Sequence, residues 1–148
     1  MSIISDEYLK TRIYVDENVN TIGTFVIDTE NWIQPSNENE IVKVTSFVAN
    51  VATTALLKSH SLGLDKFDVT VYLEKFKVSH MNYKFIGYLS DILKQLFPEK
   101  LRNAIIIDPP KFFITGYEII KKFLDKPTRK KLHLVKNNKE VYFDNLED

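Results

Sequence analysis

The chain of 148 residues contains no cysteine, which excludes disulfides, thiolate catalysis and Cys-ligated zinc, and leaves its stability to packing alone. Glycine occurs only at Gly23, Gly63, Gly87 and Gly116, and no GxGxxG or GxxxxGK pattern runs through them. Without such a loop there is no backbone cradle for a dinucleotide or a nucleoside triphosphate. Net charge is missing as well: 20 basic and 20 acidic residues cancel, so a protein whose main task is neutralising a nucleic-acid backbone is not expected. No uninterrupted apolar run approaches the roughly 18 residues of a membrane-spanning helix. The segment Met1 to Glu7 has neither the basic stretch nor the apolar core of a signal peptide. A water-soluble, cytoplasmic protein is expected, with any membrane contact peripheral.

A hydrophobic share of 44% is enough to build one compact core at this length. The charges cancel in sum but not in place. Asp6, Glu7, Asp16, Glu17, Asp28, Glu30, Glu38 and Glu40 crowd the first forty positions. From Lys121 to Lys139 the balance reverses, with Lys121, Lys122, Lys126, Arg129, Lys130, Lys131, Lys136 and Lys139 against Asp125 alone. Such a chain can turn a basic face to an anionic surface. The same cluster also fits a solvated helix end complementing the helix dipole.

Residues 12 to 28 read as a hairpin with a turn around Asp16 to Asn20. Asn37 and Glu40 have the spacing of a capping box, and Ile41, Val44, Val48, Val51 and Ala55 repeat as one face of a helix that stops near Gly63. Asp68 to Leu73 alternates as a strand, and Ser79 is the expected cap of a helix with Met81, Phe85, Tyr88, Leu89, Ile92 and Leu96 on one face, ended by Pro98. The apolar run Ala104 to Ile107 predicts a strand buried on both faces, and Leu132 to Val135 a last buried strand. Between them, a helix is expected from Phe113 to Leu124. Alternating strands and helices specify an α/β layer with a mostly parallel sheet and right-handed crossovers.

Few residues suggest chemistry. His60, His80 and His133 are isolated, with no HxxxH or HxH pair, so no metal site is expected. Ser59-His60 and Ser79-His80 are neighbours that do not face each other on a helix, and no nucleophile elbow is present; no catalytic residue and no enzyme activity are expected. The turn Asp108-Pro109-Pro110 follows a buried strand, where open α/β sheets bind ligands, and it equally fits a rigid turn capped by aspartate. In the segment after it, Phe113, Tyr117, Ile120 and Leu124 form one helical stripe, with Phe112, Gly116, Ile119 and Phe123 beside it. So wide an apolar face belongs either to a helix buried between neighbours or to a lid on an apolar ligand.

From Phe97 to Val135 the sequence resembles the CRAL-TRIO lipid-binding family. Phe97-Pro98-Glu99-Lys100-Leu101 is like the family's YPERL, Ile105 to Phe113 like its IINAPxxF, and Phe123 to Leu132 like its FLDPxTxxKI, in the same order and spacing. The resemblance implies a mostly parallel sheet flanked by helices, with a gate helix over an apolar lipid pocket formed by Phe112, Phe113, Tyr117, Ile120, Phe123 and Leu124. It implies a headgroup site at Glu99 and Lys131, where a carboxylate accepts hydrogen bonds from inositol hydroxyls and an ammonium pairs with a phosphodiester. Lys121, Lys122, Lys126, Arg129 and Lys130 would face an anionic membrane during transient contact.

Departures from the pattern are Asp108 where the family has asparagine, and Lys126-Pro127 in place of a single proline. The family's helical N-terminal bundle has no counterpart, so one minimal domain over residues 1–148 is expected; an apolar surface left uncovered would favour a homodimer. Of the phosphatidylcholine site only Thr70 is recognisable near Phe67 to Val71. The expected function is binding and transfer of phosphatidylinositol or its phosphorylated forms, with the bound phospholipid as ligand and no cofactor. The alternatives are a carrier of another hydrophobe and a lipid-gated membrane-docking adaptor without transfer.

Overall fold

The computed structural model describes residues 4–18 and 20–141. The chain opens on α1 (Asp6–Arg12), which the periodicity did not predict: Ser5 caps it by accepting the Tyr8 N–H, and its Leu9 is fully buried. The expected hairpin follows as β1 (Ile13–Val15) and β2 (Thr24–Asp28), paired antiparallel. Next come α2 (Glu38–Ser61), β3 (Phe67–Tyr72), a 3-10 turn (Val78–His80), α3 (Tyr83–Leu96) and β4 (Leu101–Ile107). After β4 stand α4 (Lys111–Ile120), a second 3-10 turn (Lys121–Phe123), α5 (Lys126–Arg129), β5 (Leu132–Lys136) and β6 (Lys139–Val141).

The six strands lie in the sheet in chain order. β2, β3, β4 and β5 are mutually parallel, and an antiparallel strand closes each edge. With strands in this order, right-handed crossovers put every connecting helix on the same face. The side chains of that face, among them Phe25, Ile27, Val69, Val71, Ile106 and Leu134, belong to the two hydrophobic clusters. Ile105 and Ile107 point the other way, are half-buried and belong to neither. The expectation that β4 is buried on both faces is therefore corrected: the crossovers cover one side of it. β5 is likewise no terminal strand, because the turn Asn137-Asn138, both with positive φ (52° and 64°), leads into β6. Two central residues in the left-handed region suit the tight turn of a hairpin, and asparagine tolerates that region.

α2 has the length and composition of a membrane-crossing helix. Its apolar face, Ile41, Val44, Val48, Ala52 and Ala55, is instead spent on the core with Ile13, Phe25 and Phe67. Asn37 caps it as expected, accepting the Glu40 N–H at 2.9 Å. The reciprocal bond of the capping box shifts by one residue: the Glu40 carboxylate accepts from the N–H and hydroxyl of Ser36, each at 3.0 Å. α2 meets the start of β2 closely. A Cβ on Gly23 would stand 1.8 Å from the Ala55 carbonyl oxygen, and the Gly23 N–H donates to Ser59 Oγ at 2.8 Å.

α3 begins later than Ser79 implies. Asn82 is its cap, accepting the Phe85 N–H at 3.2 Å, while Ser79 lies inside the preceding 3-10 turn. Its inward face is also rotated. Phe85, Ile86, Leu89 and Leu93 pack inward, whereas Tyr88 and Leu96 are exposed. Gly87 is buried on this inward side and admits the ring of Phe123: a Cβ there would lie 3.1 Å from that ring.

Candidate functional site

Between the sheet and the helices α3 and α4 lies an apolar cavity of about 250 Å³. Val71, Ile106 and Leu132 form its floor, Phe85, Ile86 and Leu89 one wall, and Phe113, Tyr117, Ile120 and Leu124 its roof. Four of the six expected gate residues thus line it. The other two pack against neighbouring elements: Phe112 stacks on Phe76 with ring centroids 6.1 Å apart, and Phe123 fills the notch at Gly87. The sequence predicts one continuous helix to Leu124, but α4 ends at Ile120 and the chain tightens into a 3-10 turn, which rotates Phe123 toward α3. Gly116 completes the seam, where a Cβ would stand 2.8 Å from the Tyr83 hydroxyl oxygen. Burial pushes the Tyr117 hydroxyl pKa up, with the Arg129 guanidinium acting in the opposite sense.

A second cavity, of about 400 Å³, adjoins the first and shares Ser90, Leu124 and Leu132 with it. Its floor is apolar, from Phe25, Phe67, Val69 and Leu101, and its rim carries Lys94, Glu99, Asp125, Thr128 and Lys131. Glu99 and Lys131, on opposite sides of β4 in the chain, come together here. Parallel pairing explains this: the turn leading into β4 and the turn leading into β5 lie at the same end of two adjacent parallel strands.

Glu99 sits in an unusual conformation. The Lys100 N–H donates to the Phe97 carbonyl at 3.2 Å, closing a turn with Pro98 and Glu99 at its centre, and Glu99 has φ +58°. Pro first and a positive φ second mark a type II turn, whose second position normally takes glycine or asparagine. A glutamate there carries backbone strain of the kind that functional sites retain. Across the cavity, Asp125 caps α5 by accepting the Thr128 N–H at 2.8 Å. Its carboxyl is held below the usual aspartate range by the Thr128 hydrogen bonds first, and by the Lys94 and Lys131 ammonium groups. Both lysines therefore act on one carboxylate at the rim.

Ser90 and Lys94 had not been singled out in the sequence. They stand four residues apart on α3, so both line the second cavity, Ser90 half-buried and Lys94 exposed at its rim, off the apolar stripe that the sequence shows. The basic residues after α4 divide. Lys122, Lys126 and Lys130 are exposed and Arg129 is half-buried, whereas Lys121 folds onto Glu118 at 3.1 Å with a side chain only 16% exposed. The Asp108 turn resolves as structure: Asp108 accepts the Asn137 N–H at 3.0 Å and so braces the β5–β6 turn. His133 contacts Glu140 and Asn103, and His80 accepts the Lys77 N–H. Among the described residues no group of His, Asp and Glu could hold a metal ion.

The model of the CRAL/TRIO domain matches residues 7–147. A stretch of 59 residues is 34% identical to the Sec14 cytosolic factor of Schizosaccharomyces pombe, spanning 40% of this chain and 21% of that protein. The crystal structure of Sfh5 superposes over 90% of this chain and 49% of its own length, with a TM-score of 0.64 at 18% identity, a likeness of fold. The chain thus spans less than half the length of these relatives. With a family match over nearly all of its residues, this chain belongs to the CRAL/TRIO domain family.

Proposed function

We propose that this protein binds a phospholipid of the phosphatidylinositol type and transfers it between membranes, without covalent chemistry. One observation carries the reading: Glu99 and Lys131 line a single polar-rimmed cavity that adjoins the apolar cavity roofed by α4, with Ser90, Leu124 and Leu132 common to both. Headgroup chemistry and acyl-chain chemistry are then adjacent. Each buried methylene contributes about 0.8 kcal/mol, so acyl chains reward a continuous apolar channel strongly enough to compete with a bilayer. The apolar cavity of about 250 Å³ is smaller than the ~300–1,000 Å³ of ordinary ligand sites, and a two-chain lipid needs more still. Loading therefore requires α4 to move outward, and the glycine seam with α3 is where it parts. Lys122, Lys126 and Lys130 beside the gate would steer it to anionic lipid at roughly 1 kcal/mol per basic residue near the surface. A cytosolic protein that visits membranes peripherally follows from this reading.

The test is transfer of labelled phosphatidylinositol and phosphatidylcholine between liposomes. Native protein should move the inositol lipid, and Lys131→Ala and Glu99→Ala should lose that activity. A folded native protein that moves neither lipid would overturn the reading.

A further inference from the structure

We infer that Lys94 is a second phosphate ligand of the headgroup cavity, positioned by the closed gate, so that bound phosphate holds the gate shut. The inference rests on the function proposed above and adds to it a residue and a coupling. Lys94 lines the cavity that holds Glu99 and Lys131. Its ammonium donates to the carbonyl of Phe123 at 3.3 Å, in the 3-10 turn that ends the gate. Phe123 in turn is seated against Gly87 on α3 itself, the helix that carries Lys94. The ring and the carbonyl of one gate residue are thus both engaged by α3, and the carbonyl fixes where the ammonium sits.

An ammonium has three donors and one is used on Phe123, leaving two to point at an anion. Two lysines, Lys94 and Lys131, act on the Asp125 carboxylate at the rim. Glu99 completes the rim with a second carboxylate, so the four groups balance, and a phosphodiester would engage the two ammonium groups while Glu99 accepts from the inositol hydroxyls. Asp125 is itself committed to capping α5, so it orients the cations without leaving its own hydrogen bond. A phosphate bridging Lys94 and Lys131 would then link α3, the gate's end and the start of β5. Linkage makes the effect reciprocal: if gate closure places Lys94 for phosphate, phosphate stabilises closure by the same factor.

The experiment uses the full chain and vesicles containing labelled phosphatidylinositol or labelled diacylglycerol, which has the acyl chains without the phosphate. Loading at equilibrium is measured together with amide hydrogen exchange of residues 113–124. Lys94→Gln keeps a donor for the Phe123 carbonyl and removes the charge; Lys94→Ala removes both. Phosphatidylinositol loading should fall about five- to ten-fold in both variants, tenfold being about 1.4 kcal/mol, with diacylglycerol loading unchanged in Lys94→Gln. Inositol lipid should slow gate exchange in native protein and lose that increment in both variants, while Lys94→Ala alone should exchange faster when empty. Unchanged inositol-lipid loading in both Lys94 variants, with loss in Lys131→Ala, would overturn the inference and leave the proposed function standing. No inositol-lipid loading by folded native protein would overturn the proposed function and this inference with it.

Discussion

Replacing Glu99 separates backbone strain from headgroup chemistry. The residue occupies the left-handed region at φ +58° in a turn whose hydrogen bond runs from Lys100 N–H to the Phe97 carbonyl. That region costs a residue bearing a side chain roughly 1–2 kcal/mol. Glycine removes the cost but gives back roughly 0.5–1 kcal/mol through the greater freedom of its unfolded chain. Glu99→Gly should therefore be more stable by about 0.5–1 kcal/mol, which for a domain of this size raises Tm by roughly 1–4 °C. Glu99→Ala keeps the strained backbone and loses only the carboxylate, so its Tm should match the native value. Both variants should lose phosphatidylinositol transfer. The assay is thermal unfolding of lipid-free protein beside liposome transfer. A Glu99→Gly variant that melts below native protein would refute the strain argument, and one that transfers normally would refute the headgroup assignment.

Two further outcomes test the packing and the electrostatics. Gly23→Ala places a methyl 1.8 Å from the Ala55 carbonyl oxygen, a backbone atom that cannot turn aside, so β2 must separate from α2. Overpacking of this kind costs about 1–3 kcal/mol or more, read as a lower urea midpoint with an unchanged slope; an unchanged midpoint would contradict the close approach. The Asp125 carboxyl is held low by its Thr128 hydrogen bonds and the two lysines, so its folded pKa lies below the unfolded one. Its contribution is present in full above the unfolded value of about 3.9 and is lost as pH falls through the lower folded value. The Thr128 amide resonance should titrate with a midpoint below that unfolded value, and a midpoint at or above it would remove the cap from the account.

Much of the architecture is a local matter and was legible in the residues. Asn37 accepts a helix N–H wherever the chain runs next, the repeat Ile41, Val44, Val48 demands one buried face, and the alternation of strand and helix leaves a mostly parallel sheet as the economical arrangement. The short α1 and α5 escaped because a turn or two of helix leaves no period to read, and the Asn137-Asn138 hairpin because its two residues look like any polar loop. The apolar character of α4 was visible in its stripes, but not its break after Ile120.

What the sequence determined by itself is the order of the longer strands and helices from the first hairpin to β5, the wide apolar face of the helix after β4, and the resemblance that singles out Glu99 and Lys131. The tertiary structure alone decided which residues meet. Helix propensity and capping act over one turn, whereas the convergence of Glu99, Lys94, Asp125 and Lys131 on one cavity depends on strand order and crossover hand. That Ser90 and Lys94 line this cavity depends on how α3 packs, with the ring of Phe123 from another element seated at the one position on α3 without a Cβ. The one-sided burial of β4 has the same origin: an apolar run states that a strand is buried, and only the handedness of three successive crossovers states on which side.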